Sequence, residues 1–218
     1  MDFRWDIIAE YAPFFAKGTL LTIGLSLASI LIGTLLGLMI GLGKMMRNKY
    51  LALPFNWYIA FFRGTPMLVQ ILLIHFAVIP TILGQTNGIL AAIVTLSLNS
   101  AAYIAEIFRA GIQSIDKGQM EAARSLGMNH VQAMTNVILP QAFKRMIPPL
   151  GNEFVVLIKE SSLASLIAAP ELMYWGRAMQ GQYYRVWEPY LTSAVIYLVL
   201  TLTLSFLLNR LEKGLATE

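Results

Sequence analysis

From Gly18 to Gly43 the chain runs 26 residues without an Asp, Glu, Lys or Arg. A helix of about 20 apolar residues crosses the roughly 30 Å of hydrocarbon in a bilayer. A charge-free run of that length limits the possible folds more than any other feature. The same four residue types are missing from 64 to 105, a stretch too long for one crossing, and from 189 to 209. Pro80 and the cluster Gly84-Gln85-Thr86-Asn87-Gly88 divide the middle stretch with a turn. A further segment, 146–169, is interrupted by Glu153, Lys159 and Glu160. The expected spans are therefore about 18–43, 64–82, 88–110, 146–169 and 190–209, in one membrane domain over 1–218. Lipid tolerates only helices or closed barrels, and the alternation of barrel strands is absent. The fold class is all-α, an integral membrane bundle of five transmembrane helices.

Composition supports this reading by exclusion. Apolar residues make up 57% and charged residues 13%, where soluble domains carry about a quarter charged. An ordinary soluble enzyme and a disordered tail are both excluded. With no cysteine there is no disulfide framework, thiolate nucleophile or Cys-based metal site. The net charge of +4 reflects cations that hold loops inside the cell, not a nucleic-acid surface. Met1 to Glu10 contains Asp2, Asp6 and Glu10, where a cleavable signal needs a basic end.

Orientation follows from Lys and Arg. Lys44, Arg47 and Lys49, then Arg109, Lys117, Arg124, Lys144 and Arg145, then Arg210 and Lys213 place ten cations on one side. Arg4, Lys17, Arg177 and Arg185 place four on the other. The richer side is read as the cytoplasm, so the N-terminus is expected outside and the C-terminus inside. Residues 51–63, with Pro54, Trp57 and Tyr58, are expected to lie in the inner interface before a bend at Arg63-Gly64-Thr65-Pro66. Gly33, Gly37 and Gly41 line one helix face, expected to receive a helix of the same chain, or alternatively a subunit.

Enzyme signatures fail. Leu38 stands where a phosphate loop needs its first glycine, and Lys44 is followed by Met45. The third glycine of a dinucleotide fingerprint is missing. His75 and His130 are far apart and form no metal pair or triad; His75 is expected to be packed or hydrogen-bonded between helices. No catalytic and no metal site is expected, and no cofactor is expected in this chain.

The loop 106–146 is more informative. Met120 to Leu126 uses good helix formers, and Gly127 stands where a left-handed cap would end the helix. Ala122 and Ala123 present a small surface beside Leu126. Such a short helix suits a ridge placed in another protein's groove, or alternatively lies against the membrane.

At these residues the chain resembles a known family. Glu121-Ala122-Ala123, three residues, Gly127, nine residues, then Val137, one residue and Leu139-Pro140 is similar to the EAA motif of ATP-binding-cassette importer permeases. The family's usual Ile is Val137 here. Arg63-Gly64-Thr65-Pro66, the run Ser100 to Glu106, and Lys159-Glu160-Ser161-Ser162-Leu163 resemble its polar amino-acid uptake branch, and the resemblance covers roughly 12–210. It implies the type I importer permease fold, with a cytoplasmic coupling helix in a loop of about 114–140. It also implies a second permease subunit, identical or related, two copies of an ATPase that bind ATP and Mg, and an external amino-acid-binding protein or domain. The chain would then be a multi-pass protein of a bacterial inner membrane. The coupling residues would be Gly118, Glu121, Ala122, Ala123, Leu126 and Gly127.

Ionisable groups at membrane depth usually face a cavity or a partner. Glu153 follows Pro148-Pro149-Leu150-Gly151-Asn152, a run expected to disturb helix hydrogen bonding. Its carboxylate suits a substrate ammonium, guanidinium or imidazolium, or alternatively a structural cation. Asn99 and Ser100, Tyr103 one turn on, and Gln70 beside the expected bend complete the substrate candidates; interhelical hydrogen bonding is the alternative for the polar three. Glu106 and Arg109 are expected to pair structurally. Glu153 and Glu160 lie seven apart, so one is expected to find Lys159, Arg63 or a neighbour. The function expected is permeation of polar, basic amino acids driven by a separate ATPase, with no covalent chemistry. The alternative is an ATP-independent channel or secondary carrier.

Overall fold

The computed structural model describes residues 2–216; the side chain of Lys213, counted above with the cytoplasmic cations, lies outside the described residues. Among the described residues all regular structure is helical. The order is α1 (Trp5–Lys44), α2 (Lys49–Gly64), α3 (Met67–Leu83), α4 (Gly88–Gln113), α5 (Lys117–Ser125), α6 (130–160), α7 (Leu172–Tyr183) and α8 (Trp187–Ala216).

α1 is 40 residues long, about 60 Å at 1.5 Å per residue, and so about twice the hydrocarbon thickness. It begins well before the expected 18–43, because the charged residues that kept 5–17 out of the charge-free run, Asp6, Glu10 and Lys17, do not stop a helix. Its buried positions Ile7, Tyr11, Phe15, Gly18, Thr22, Ser26, Ser29, Gly33, Gly37 and Gly41 recur every three or four residues, one continuous stripe. The first part of that stripe packs Ile7, Tyr11 and Phe15 on Leu172 of α7 and Met179. The last part of the stripe, Gly33, Gly37 and Gly41, lies against α4. A Cβ on Gly33 would touch Ser100, one on Gly37 would touch Ile104 and Ala101, and one on Gly41 would touch Ala105. The small-residue face therefore packs within this chain.

Pro66 has no N–H and pushes Thr65 into an extended conformation. The chain turns by 108° there, which sets α2 across the direction of α3. Inside α3, a π-helical turn spans Ile74–Val78. It buries His75, whose Nδ1 has no hydrogen bond among the described residues and whose ring stands edge-on to Phe76. His75 is thus packed, without the interhelical bond. Asn87 caps α4, accepting from the Leu90 N–H at 2.9 Å.

α6 departs most from expectation. It starts at residue 130, passes a π turn at Met134–Ile138, and continues through Pro148 and Pro149 without breaking. The two prolines leave out two donated bonds but keep helical dihedrals, so the expected disturbance does not interrupt the helix. The helix ends at Glu160, not near 169; Ser161–Ile167 tightens to 3-10 form and Ala168 turns left-handed at φ 58°.

Among the described residues, Trp5–Lys44, Gly88–Gln113 and Trp187–Leu211 are each long and apolar enough to cross a membrane. The bent pair α2–α3 makes a fourth if it counts as one broken span. α6, with Lys144, Arg145, Glu153, Lys159 and Glu160, is not in that set.

The α1–α4 seam generates a test. A Cβ on Gly37 would lie 2.8 Å from the Ile104 side chain and 2.9 Å from the Ala101 carbonyl oxygen; overpacking of this kind costs about 1–3 kcal/mol. Gly24 has nothing within 4 Å, and alanine there gains about 0.8–1 kcal/mol of helix propensity. Gly37→Ala should lower the thermal midpoint in detergent and Gly24→Ala should not. Equal midpoints would contradict the seam.

Candidate functional site: a cleft beside α4 and a capped short helix

The break between α2 and α3 leaves carbonyl groups without helical donors. Two side-chain amides satisfy them. Gln70 donates through Nε2 to the Phe62 carbonyl at 2.9 Å, the Thr65 carbonyl at 3.1 Å and Thr65 Oγ1 at 2.8 Å. Asn99 donates through Nδ2 to Gln70 Oε1 at 2.9 Å and to the Phe62 carbonyl at 3.2 Å. Both side chains are buried. They hold the bend against α4, which is the interhelical alternative, and neither lines the cleft described next.

That cleft has a volume of about 580 Å³, and its polar lining includes Arg63, Tyr103, Glu106, Arg145, Asn152 and Glu153. Tyr103 and Glu153 are the substrate candidates that it brings together. Ser100 lies behind them, buried against Gly33; its Oγ has no hydrogen bond of ordinary geometry, and the Glu153 carboxyl is its electrostatic neighbour.

The described residues include three buried glutamates, Glu153, Glu171 and Glu188. Glu171 accepts from Tyr197 Oη at 2.7 Å, from the Met173 and Tyr174 N–H groups at 2.9 and 2.8 Å, and from Thr22 Oγ1 at 3.4 Å. It thereby ties the start of α7 to α1 and α8. Glu188 accepts from Arg185 Nε at 2.6 Å and the Arg4 N–H at 3.1 Å. Glu153 has no ion pair among the described residues, and its oxygens are not sealed off. Sequence reasoning expected Glu153 or Glu160 to find Lys159 or Arg63. Arg63 instead stacks over the Tyr103 ring at 5.2 Å and approaches Glu106 at 3.7 Å.

Glu106 collects more cations than its expected partner. Arg109 donates to Oε2 through Nε and Nη2 at 3.1 and 2.9 Å, and Lys44 pairs with Oε1. Lys44, Arg63, Arg145 and Asn152 were outside the sequence-derived site. The available signal was a cation at a helix end, and that signal does not say which way the helix points. The hub of Glu171, Thr22 and Tyr197 spans 175 residues of chain and left no local pattern.

The second element is α5. Asp116 caps its start, accepting from the Gly118 N–H at 2.7 Å. At its end Gly127 adopts φ 87°, the Gly127 N–H reaches the Arg124 carbonyl, and the Met128 N–H reaches the Ala123 carbonyl. This is a Schellman motif, at the glycine expected to cap the helix. Ala123 turns inward and is buried, while Glu121 and Ala122 stay exposed. The expected two-alanine surface is therefore one alanine beside Leu126, which is 83% exposed, and Val131. Beneath them Ile115, Ile138, Ala142 and Met146 form a small core that holds the loop to α6, and Arg145 donates to the Ser114 carbonyl.

Comparison with known proteins extends the geometry. The family model described as the binding-protein-dependent transport system inner membrane component matches residues 16–217. The chain is 39% identical to the arginine transport system permease protein ArtQ of Bacillus subtilis, over 100% of both chains. It is 38% identical to the glutamine transport system permease protein GlnP of Escherichia coli, over 98% of both. A solved structure described as an amino acid ABC transporter with histidines superposes with a TM-score of 0.92 at 44% identity, covering 98% of this chain and 100% of that one.

The contrast between the glutamates is measurable. Removing the Glu171 carboxylate leaves the Tyr197 hydroxyl and two backbone donors unpaired, each costing about 1–3 kcal/mol where buried. Glu171→Ala should lower the thermal midpoint strongly. Glu153→Gln breaks no ion pair among the described residues and should lower the midpoint far less than Glu171→Ala, or raise it. A Glu153→Gln midpoint as low as that of Glu171→Ala would make Glu153 a structural group.

Proposed function

From the premise that the chain belongs to the family of binding-protein-dependent transport system inner membrane components, we propose that it is the membrane-spanning subunit of an ATP-driven importer of polar amino acids, with preference for basic ones. Glu153 carries the preference. Among the described residues it is a buried carboxylate with neither an ion pair nor the set of neutral donors that holds Glu171, and it lines a cleft large enough for an amino acid. A charge held in that state is costly, and a guanidinium, ammonium or imidazolium entering the cleft offsets the cost. The likeness to a permease named for arginine supports this, and the likeness to one named for glutamine sets the comparison to be tested.

In this reading α6 is the fifth crossing, its charged positions facing the cleft and a second permease subunit, identical or related. The N-terminus lies outside and the C-terminus in the cytoplasm, with α5 on the cytoplasmic side. Two copies of an ATPase, which bind ATP and Mg, receive α5 in a groove. An external binding protein or domain delivers the amino acid. Leu126 and Ala122 are the contact surface, and the Gly127 cap fixes the angle at which the chain leaves α5 for α6. Closure of the ATPases draws α5 with them, and the rigid connection to α4 and α6 passes the movement to the cleft. No bond of the substrate is made or broken.

Two measurements test the reading. In proteoliposomes with the ATPase and binding protein present, Glu153→Gln should lower arginine uptake by about tenfold or more, the worth of one charge-assisted contact, and glutamine uptake by less. Equal loss of both, or no loss, would remove Glu153 from substrate selection. Gly127→Val places a β-branched residue at φ 87°. It should reduce co-purification of the ATPase while the permease remains in the membrane fraction; undiminished co-purification would take the coupling role from α5.

A further inference from the structure

We infer that Arg63 holds the α-carboxylate of the transported amino acid, a specificity role that rests on the amino-acid reading above. A basic amino acid brings an anion as well as cations into the cleft, and that anion enters beside the Glu153 carboxylate. Without a cation of the protein to meet it, the carboxylate would be both desolvated and repelled.

The cationic groups near the cleft are engaged unequally. Arg109 is spent on Glu106 Oε2 and on Gln113. Lys44 is spent on Glu106 Oε1. Arg145 has one N–H on the Ser114 carbonyl and, among the described residues, no aromatic ring to fix its plane. Arg63 lines the same cleft, but among the described residues it donates no hydrogen bond of normal length. Its approach to Glu106, at 3.7 Å, is made to an oxygen that Arg109 already occupies twice. Its side chain is 42% exposed and its guanidinium lies over the Tyr103 ring at 5.2 Å. Stacking of this kind fixes the plane of the guanidinium while leaving its N–H edges free. A planar, uncommitted fork is the geometry that receives a carboxylate bidentately. Among the described residues the cleft thus offers a carboxylate without an ion pair, Glu153, and a ring-stacked guanidinium whose one acceptor is a long 3.7 Å contact, Arg63, to a ligand that carries both signs. Tyr103 acts here as a positioning residue: it holds the fork that meets the substrate.

The test removes the carboxylate from the ligand as well as the guanidinium from the protein. Direct binding of radiolabelled L-arginine to the purified permease–ATPase complex is competed with unlabelled L-arginine and with agmatine, which has the same side chain and no carboxylate. The binding protein is omitted because it makes its own selection. The parent complex should bind agmatine at least about tenfold more weakly than arginine. Arg63→Gln should weaken arginine by about 10- to 100-fold, the contribution of a charge-assisted bidentate contact, and leave agmatine unchanged, so the discrimination disappears. Arg63→Lys keeps a charge for Glu106 without the fork and should fall between. Glu153→Gln should weaken both ligands together. If Arg63→Gln weakens both ligands equally, or if discrimination survives in Arg63→Gln and Arg63→Lys, Arg63 is only a structural cation of the Glu106 cluster and the inference fails while the amino-acid reading stands. If the parent complex binds neither ligand and transports no amino acid, the reading itself fails and takes this inference with it.

Discussion

α1 and α4 approach along Gly33, Gly37 and Gly41 so closely that a methyl group on any of them would press on Ser100, Ile104 or Ala105. The rest of the bundle depends on that seam. In lipid there is no hydrophobic force between helices, so association rests on close packing and interhelical hydrogen bonds. With one face of α4 turned to the α1 glycines, its other polar positions are left for α2, α3 and α6. Asn99 therefore reaches the α2–α3 break, Tyr103 meets Arg63, and Glu106 gathers Lys44, Arg63 and Arg109.

Polar groups in such a bundle fall into two kinds. Most are used up in holding it. Gln70 and Asn99 satisfy the carbonyls of the bend, Glu171 anchors α7 to α1 and α8, and Glu188 takes Arg185. Each replaces water that the surroundings cannot supply. A few are left over. Among the described residues Glu153 has no cation and Arg63 no short acceptor, and the two line one cleft. Burial and charge alone do not separate the two kinds, since Glu171 is more deeply buried than Glu153. The distinction lies in the partners. A carboxylate with four donors is part of the framework, whereas one with none is available to a ligand.

The sequence was informative where the physics is local. The Gly127 cap was legible because only a residue without Cβ tolerates φ 87° cheaply. The bend at residues 64–66 was legible because proline restricts the residue before it. The glycine face of α1 was legible from its four-residue spacing. Pro148 and Pro149 misled the reading: two prolines suggested a disturbed helix, yet α6 carries both, because local propensity yields to a helix that its neighbours already hold. The end of α6 was misplaced for the complementary reason. Apolar residues continue past Glu160, and hydropathy does not register a change from α to 3-10 winding.

By itself the chain determined that it is helical and made for a membrane, because uncharged runs of this length have no stable alternative in water. It also determined its family, because the EAA spacing and its companion motifs are written in consecutive residues. Only the tertiary structure decided which polar residues are spent and which are free. That depends on partners brought together from distant parts of the chain: Thr22, Glu171 and Tyr197 in one hub, Lys44, Arg63, Glu106 and Arg109 in another, and Arg63 with Glu153 in the cleft. A hydrogen bond is a relation between two groups in space, and sequence positions so far apart do not encode the distance between them in any local pattern.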